Sequence, residues 1–190
     1  MKSLNLFLTL VFLTSLSAFS IPEKGLARTY GIAKNNGIPA FLEGHKYESA
    51  DGTMFSFTQV KGKVLLIDFW ATWCGPCIKE HPHVVALERE FDSQDFKVVT
   101  VSVDKSKTKW QDFVRANNWT GIHIKIDNND VLNPLNQMVV KEVLINGDTL
   151  YRTSVPQYYL VDKGLSIENI KDIKAKNTIS LIRKKLDGKD

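Results

Sequence analysis

Residues 68–77 read DFWATWCGPC, and both cysteines of the 190-residue chain, Cys74 and Cys77, fall in this stretch with only Gly75 and Pro76 between them. Upstream lies Lys63-Val-Leu-Leu-Ile-Asp-Phe-Trp70, a nearly continuous apolar run entered from Lys61-Gly62. Such a run suits a strand buried on both faces in the middle of a sheet. From Cys77 onward the period changes: Ile78, Val84, Val85, Leu87 and Phe91 recur at helical spacings, with Lys79, Glu88, Arg89 and Glu90 on the opposite face. That pattern predicts an amphipathic helix. The cysteines therefore stand where a central strand hands over to a helix, with Cys74 at or just before the first turn. Pro76 suits the place, because a first-turn N–H has no partner in the helix to lose.

The environment of the pair bears on its chemistry. Met1–Ser20 has a basic start at Lys2, an apolar run rich in Leu and Phe, and small residues at Ala18 and Ser20. This is the layout of a secretory signal, with cleavage expected after Ser20. An uncleaved membrane anchor and a buried N-terminal helix are the alternatives, and the run is shorter than the ~20 apolar residues that comfortably span a bilayer. No later segment is apolar for long enough to cross, so the rest is expected to be soluble and outside the cytoplasm. A formal net charge of +4 with dispersed basic residues does not suggest nucleic acid, and the crowding at Lys171–Lys176 and Arg183–Lys185 reads as a solvated helix face. The chain beyond the leader is long enough for one domain with a single core.

A pair spaced C-x-x-C can be a staple, half of a metal site, a haem anchor or a reactive couple. As a staple it closes a very short loop and would stabilise little, because the entropy removed from the unfolded chain grows with loop length; small disulfide-dependent domains also carry several pairs. A closed zinc site needs four ligands, and no second C-x-x-C exists. His81 and His83 come soon after, but residues two apart on a helix point in different directions, so both histidines are expected on the surface and no metal is expected. Haem attachment needs a His directly after the second Cys, where Ile78 stands. Reactivity remains. Unpaired N–H groups and the helix dipole favour a thiolate at Cys74.

Two acids stand nearby. Asp68 falls inside the apolar strand, where a carboxylate is expensive unless neutralised or hydrogen-bonded. Burial should raise its pKa and suit it to exchange a proton with a thiol. The alternative is a core acid satisfied by backbone groups. Glu80 lies three residues past Cys77 on the same helix, and its alternative is an ordinary exposed acid. Pro82, inside that helix, predicts a kink.

The block DFWATWCGPC, with Pro82 five residues past the second cysteine, resembles the active-site segment of the thioredoxin superfamily. The leader, a hairpin read from Ile38–Phe41 through Asp51-Gly52-Thr53 to Val60–Lys63, and Glu80 narrow the resemblance to the TlpA/ResA-like extracytoplasmic thiol–disulfide oxidoreductases. Asp68 is similar to the acid of thioredoxin itself, where TlpA-like chains often carry Asn, so the chain holds both acids. The resemblance implies catalytic roles for Cys74, Cys77, Asp68 and Glu80. It implies a substrate-facing surface of Trp73, Gly75, Pro76, Val155 and Pro156, with Pro156 cis and opening an antiparallel strand through Val155–Gly164.

Elsewhere, Phe96–Val103 reads as a second buried strand ending at Asp104, Lys109–Asn118 as a helix, Ile122–Ile126 as a short strand and Thr178–Leu186 as the closing helix. Residues 127–154 are longer and more polar than the family's usual connection, and their conformation is not readable. The expected fold is α/β, a thioredoxin-like three-layer sandwich with a mixed central sheet, helices on both faces and an N-terminal hairpin extension. The expected division is a signal at 1–20, a lead-in at 21–37 and the domain at 38–190.

The implied mechanism is dithiol exchange with protein thiols or disulfides, with no cofactor beyond the redox-active Cys74–Cys77 disulfide. The Gly-Pro dipeptide resembles that of reducing thioredoxins and implies a reductant fed by a membrane electron-donor protein, with cytochrome c maturation among the family's roles. A non-enzymatic partner-binding module with a structural C-x-x-C is one alternative. A peroxidase-like antioxidant protein is another, though the Pro-x-x-x-Thr/Ser-x-x-Cys arrangement of such enzymes is absent before Cys74.

Overall fold

A computed structural model describes residues 42, 44–91, 95–130, 133–145, 148–174 and 176–188. The leader, the lead-in and the Ile38–Phe41 start of the expected hairpin lie outside the described residues.

The apolar run forms β3, Val64–Trp70, buried at every position. Before it come β1 (Tyr47–Glu48) and β2 (Met54–Phe55), paired antiparallel. Their turn at Asp51–Thr53 is closed by Asp51 Oδ1, which accepts from the Thr53 N–H and hydroxyl at 2.9 and 2.7 Å, and Gly52 takes a φ of 88° there. The return side of the hairpin ends at Phe55, short of the expected Val60–Lys63, and Phe57–Val60 is a 3₁₀ turn. It is capped by the Ser56 hydroxyl, which accepts from the Thr58 N–H.

After β3 come α1 (Gly75–Glu90), β4 (Phe96–Ser102), α2 (Lys107–Ala116) and β5 (Ile122–Lys125). β4 pairs parallel with β3, and β5 parallel with β4. β8 (Gln157–Val161) then runs antiparallel on the other side of β3, followed by antiparallel β9 (Ile167–Ile170) and α4 (Lys176–Leu186). The order β5-β4-β3-β8-β9 puts β3 in the centre, as its continuous apolar character requires. Residues 127–154, unreadable from sequence, include α3 (Pro134–Val139) and a ribbon of β6 (Val140–Ile145) with β7 (Asp148–Thr153).

Side chains alternate across a strand, and β3 divides the core accordingly. Leu65, Ile67 and Phe69 join Trp110 and Val114 of α2 with Leu135 and Val139 of α3. Val64 and Leu66 join Val84 and Leu87 of α1 with Ile182 of α4. Helices cover both faces, so the α/β sandwich with a mixed sheet is the observed architecture. Each fully buried aliphatic or aromatic side chain here contributes about 1.5–3 kcal/mol.

Candidate active site

Cys74 is the N-cap of α1, with extended backbone, and its Sγ accepts from the Cys77 N–H at 3.2 Å. The chain reaches it through a turn closed by Cys74 N–H donating to Ala71 O at 3.0 Å. Pro76 occupies the first turn and Pro82 lies inside the helix, both as the sequence implies. Cys74 and Cys77 are joined by a disulfide of 2.01 Å. Both are buried, Cys74 at 5% and Cys77 at 4% exposed. Position at the helix start, and not exposure, distinguishes the two sulfurs here.

The surface around the pair is uneven. Trp73 is 64% exposed, and Gly75 and Pro76 are also exposed. Val155–Pro156 is a cis peptide bond and both residues are half-buried. Val155 packs against the apolar cluster that contains both cysteines.

The loop before Cys74 is pinned by a residue that sequence reasoning saw only as the end of a strand. The buried Asp104 carboxylate accepts from the Thr72 N–H at 3.0 Å, the Thr72 hydroxyl at 2.7 Å and the Ser102 hydroxyl at 2.8 Å. An acid directly after an apolar strand, like Asp68 within one, was the available signal.

Asp68 is 4% exposed and its Oδ1 has no hydrogen-bond partner, so a core acid satisfied by backbone groups does not describe that oxygen. Burial, with the nearby Glu80 carboxylate adding to it, pushes the Asp68 carboxyl up to about 8. Glu80 is no ordinary exposed acid: Tyr158 donates its hydroxyl to Oε2 at 2.7 Å and Lys174 Nζ lies 3.1 Å from Oε1. Burial, then the charge of Asp68, then the bond to Glu80 hold the Tyr158 phenol far above its ordinary range.

The expectation of two surface histidines holds for His83, which is exposed, and fails for His81. His81 is 5% exposed and stacks on Trp119 with ring centroids 3.4 Å apart. Neither ring nitrogen has a partner, and burial, then the neighbouring His123, depress the imidazole to about 4. A large aromatic from the segment after α2 covers that face of the helix, which a count of apolar residues along α1 does not reveal. His123 is also buried; its Nδ1 lies 2.6 Å from Thr100 Oγ1 and its Nε2 3.0 Å from Thr120 O. Among the described residues no group of three His, Cys, Asp or Glu could hold a metal ion, and no helix is long and apolar enough to cross a membrane.

Comparison with known proteins bears on the family and the fold. Residues 33–163 match the family model described as Redoxin. The chain is 30% identical over 98 residues to the thiol-disulfide oxidoreductase ResA of Bacillus subtilis, covering 52% of each chain. It is 30% identical over 108 residues to the thioredoxin-like protein YneN of the same organism, covering 56% of this chain and 59% of that one. The matched region thus spans about half the length of these curated relatives. The solution structure of a putative thiol-disulfide oxidoreductase from Bacteroides vulgatus superposes with a TM-score of 0.58 and 27% identity, covering 78% of this chain and 93% of that one. The thioredoxin-superfamily, ResA-like resemblance seen around DFWATWCGPC is borne out.

Proposed function

Because this chain belongs to the Redoxin family, we propose that it is a thiol–disulfide oxidoreductase acting outside the cytoplasm, with Cys74 and Cys77 exchanging with disulfides of partner proteins as a reductant. The observation that carries the reading is the bonded Cys74–Cys77 pair at the β3–α1 junction, with Cys74 at the N-cap. The exposed Trp73 and the half-buried Val155–Pro156 segment supply a surface on which an extended polypeptide can lie, as in strand addition.

In the reduced protein, the Cys74 thiolate attacks a sulfur of the partner's disulfide. That S–S bond breaks, a Cys74–partner bond forms, and the partner's other sulfur leaves as thiolate. Cys77 then loses its proton and attacks Cys74 Sγ. The mixed disulfide breaks, Cys74–Cys77 forms, and the partner departs with two electrons gained. Cys77 lies within the first turn, without the N-cap position that favours ionisation of Cys74, so the second step needs a proton acceptor. Asp68, with an unpartnered buried oxygen, suits that role in its ionised form, which is populated as pH rises toward the carboxyl's raised midpoint of about 8.

The leader-like Met1–Ser20 supports the extracytoplasmic location, and a membrane donor returning electrons to Cys74–Cys77 would complete the cycle. Cytochrome c maturation is one role this assignment accommodates. Reduction of insulin disulfides by the protein with dithiothreitol, against a Cys74→Ser variant, tests the activity. A rate no different from the variant's sinks the proposal and leaves a binding module with a structural pair. A Cys77→Ala variant should hold substrates as stable mixed disulfides and so identify them.

A further inference from the structure

Glu80 is gripped from two elements remote from DFWATWCGPC. Tyr158, on β8, donates to Oε2 at 2.7 Å, while Lys174, in the segment between β9 and α4, lies 3.1 Å from Oε1. Each carboxylate oxygen thus has its own partner. Tyr158 is also the register partner of Asp68 across the β3–β8 ladder, so the two side chains leave the same face of the sheet side by side. Exposure rises along the row: Asp68 and Tyr158 are 4% and 3% exposed, and the side chains of Glu80 and Lys174 are 22% and 47% exposed. The row runs from a buried carboxyl with an orphan oxygen to a cation at the surface.

We propose that Tyr158 and Lys174 are positioning residues for proton transfer behind Cys77: Tyr158 holds the Glu80 carboxylate inward beside Asp68, and Lys174 supplies the countercharge that limits its repulsion of an ionised Asp68. The inference rests on the oxidoreductase reading above. The two residues act on Asp68 in opposite directions, because one fixes a negative charge close to it and the other offsets that charge. Glu80 raises the proton affinity of Asp68 after burial itself. The other groups near this row do not substitute for the pair. Asp172, also after β9, bears on Tyr158 with the same sign as Asp68. Thr100, the register partner of Asp68 on β4, is engaged by His123.

Opposite signs make the test specific. The oxidised protein, labelled with 13C at aspartate carboxyl carbons, is titrated by NMR over about pH 5 to 10, a range spanning the raised carboxyl, with the Asp68 resonance assigned through Asp68→Asn. In Lys174→Met the Glu80 charge stays in place without its countercharge, so the Asp68 midpoint rises by about one unit, the low end of what one nearby charge produces. In Tyr158→Phe the inward tether is lost and Lys174 draws the carboxylate toward solvent, so the midpoint falls. The pH midpoint for resolution of a mixed disulfide should move the same way in each variant. Shifts of one sign in both variants, or no shift in one or both, overturn the proposal. The titration needs no substrate: a parent protein inactive toward insulin defeats the oxidoreductase reading, while the NMR midpoints still decide whether the row positions Glu80 against Asp68.

Discussion

Replacing Asp68 with Asn turns the cost of a buried carboxylate into a measurable slope. The folded carboxyl titrates at about 8 against an ordinary value of 3.8. Below the lower value both folded and unfolded chains hold the proton, and the stabilising contribution of the protonated folded carboxyl is fully present. Above it the unfolded chain ionises while the folded one does not, so stability falls by ~1.4 kcal/mol per pH unit until the folded carboxyl ionises too. Roughly three units of that window lie below pH 7, a ceiling of ~4 kcal/mol. Residual compactness of the unfolded chain brings the expected loss to about 2–4 kcal/mol. Asn does not titrate. It leaves a polar group in the core whose cost of about 1–3 kcal/mol is independent of pH, so the absolute difference between the proteins is less telling than its slope. Urea unfolding of the oxidised proteins, followed by tryptophan fluorescence at half-unit steps, gives that slope, and titrating groups remote from Asp68 cancel in the comparison. The stability of Asp68→Asn minus that of the parent should climb by about 1 kcal/mol per unit between about pH 5 and 7 and level off above about 8. Parallel curves over this range would refute a carboxyl held protonated by burial.

Other perturbations have equally definite outcomes. Alkylation of the reduced protein at mildly acidic pH should label Cys74 before Cys77, since Cys74 caps α1; the reverse order would exchange their roles. Asp104→Ala strips the Thr72 N–H, the Thr72 hydroxyl and the Ser102 hydroxyl of their acceptor, which should cost about 2–3 kcal/mol in chemical denaturation and slow insulin reduction by loosening the loop before Cys74. An unchanged unfolding midpoint would contradict this. His81 titrates at about 4 in the fold against 6.5, so its stabilising contribution, present above the ordinary value, is lost as pH falls toward the depressed one. His81→Phe should therefore gain about 1–2 kcal/mol more over the parent near pH 5 than near pH 7.5, and an equal difference at both would rule out a neutral buried imidazole.

The parts of the molecule legible in the sequence are those whose signals are local. β3 is marked by its apolar run, buried at all seven positions, α1 by its change of period, and the helix start by Pro76 beside Cys74. The position of Asp68 within an apolar strand is enough to foresee its burial, because a strand apolar at successive positions is covered on both faces. The ribbon β6–β7 resists reading for the converse reason: it lies outside the five-stranded sheet, and Val140–Ile145 shows no sustained apolar–polar alternation in sequence. His81 and Glu80 fall between these cases. Their places on α1 are legible, flanking the line from Cys77, yet helical phase specifies only a direction and not what waits there. Trp119 waits for His81, and Tyr158 with Lys174 for Glu80. Those partners come from a loop, a strand and a connection whose proximity exists only after the sheet order is set. Glu80 thus shows where local reasoning ends. Its spacing from Cys77 is compatible with an exposed acid or an acid of the site, and contacts from distant parts of the chain decide between them by fixing both carboxylate oxygens.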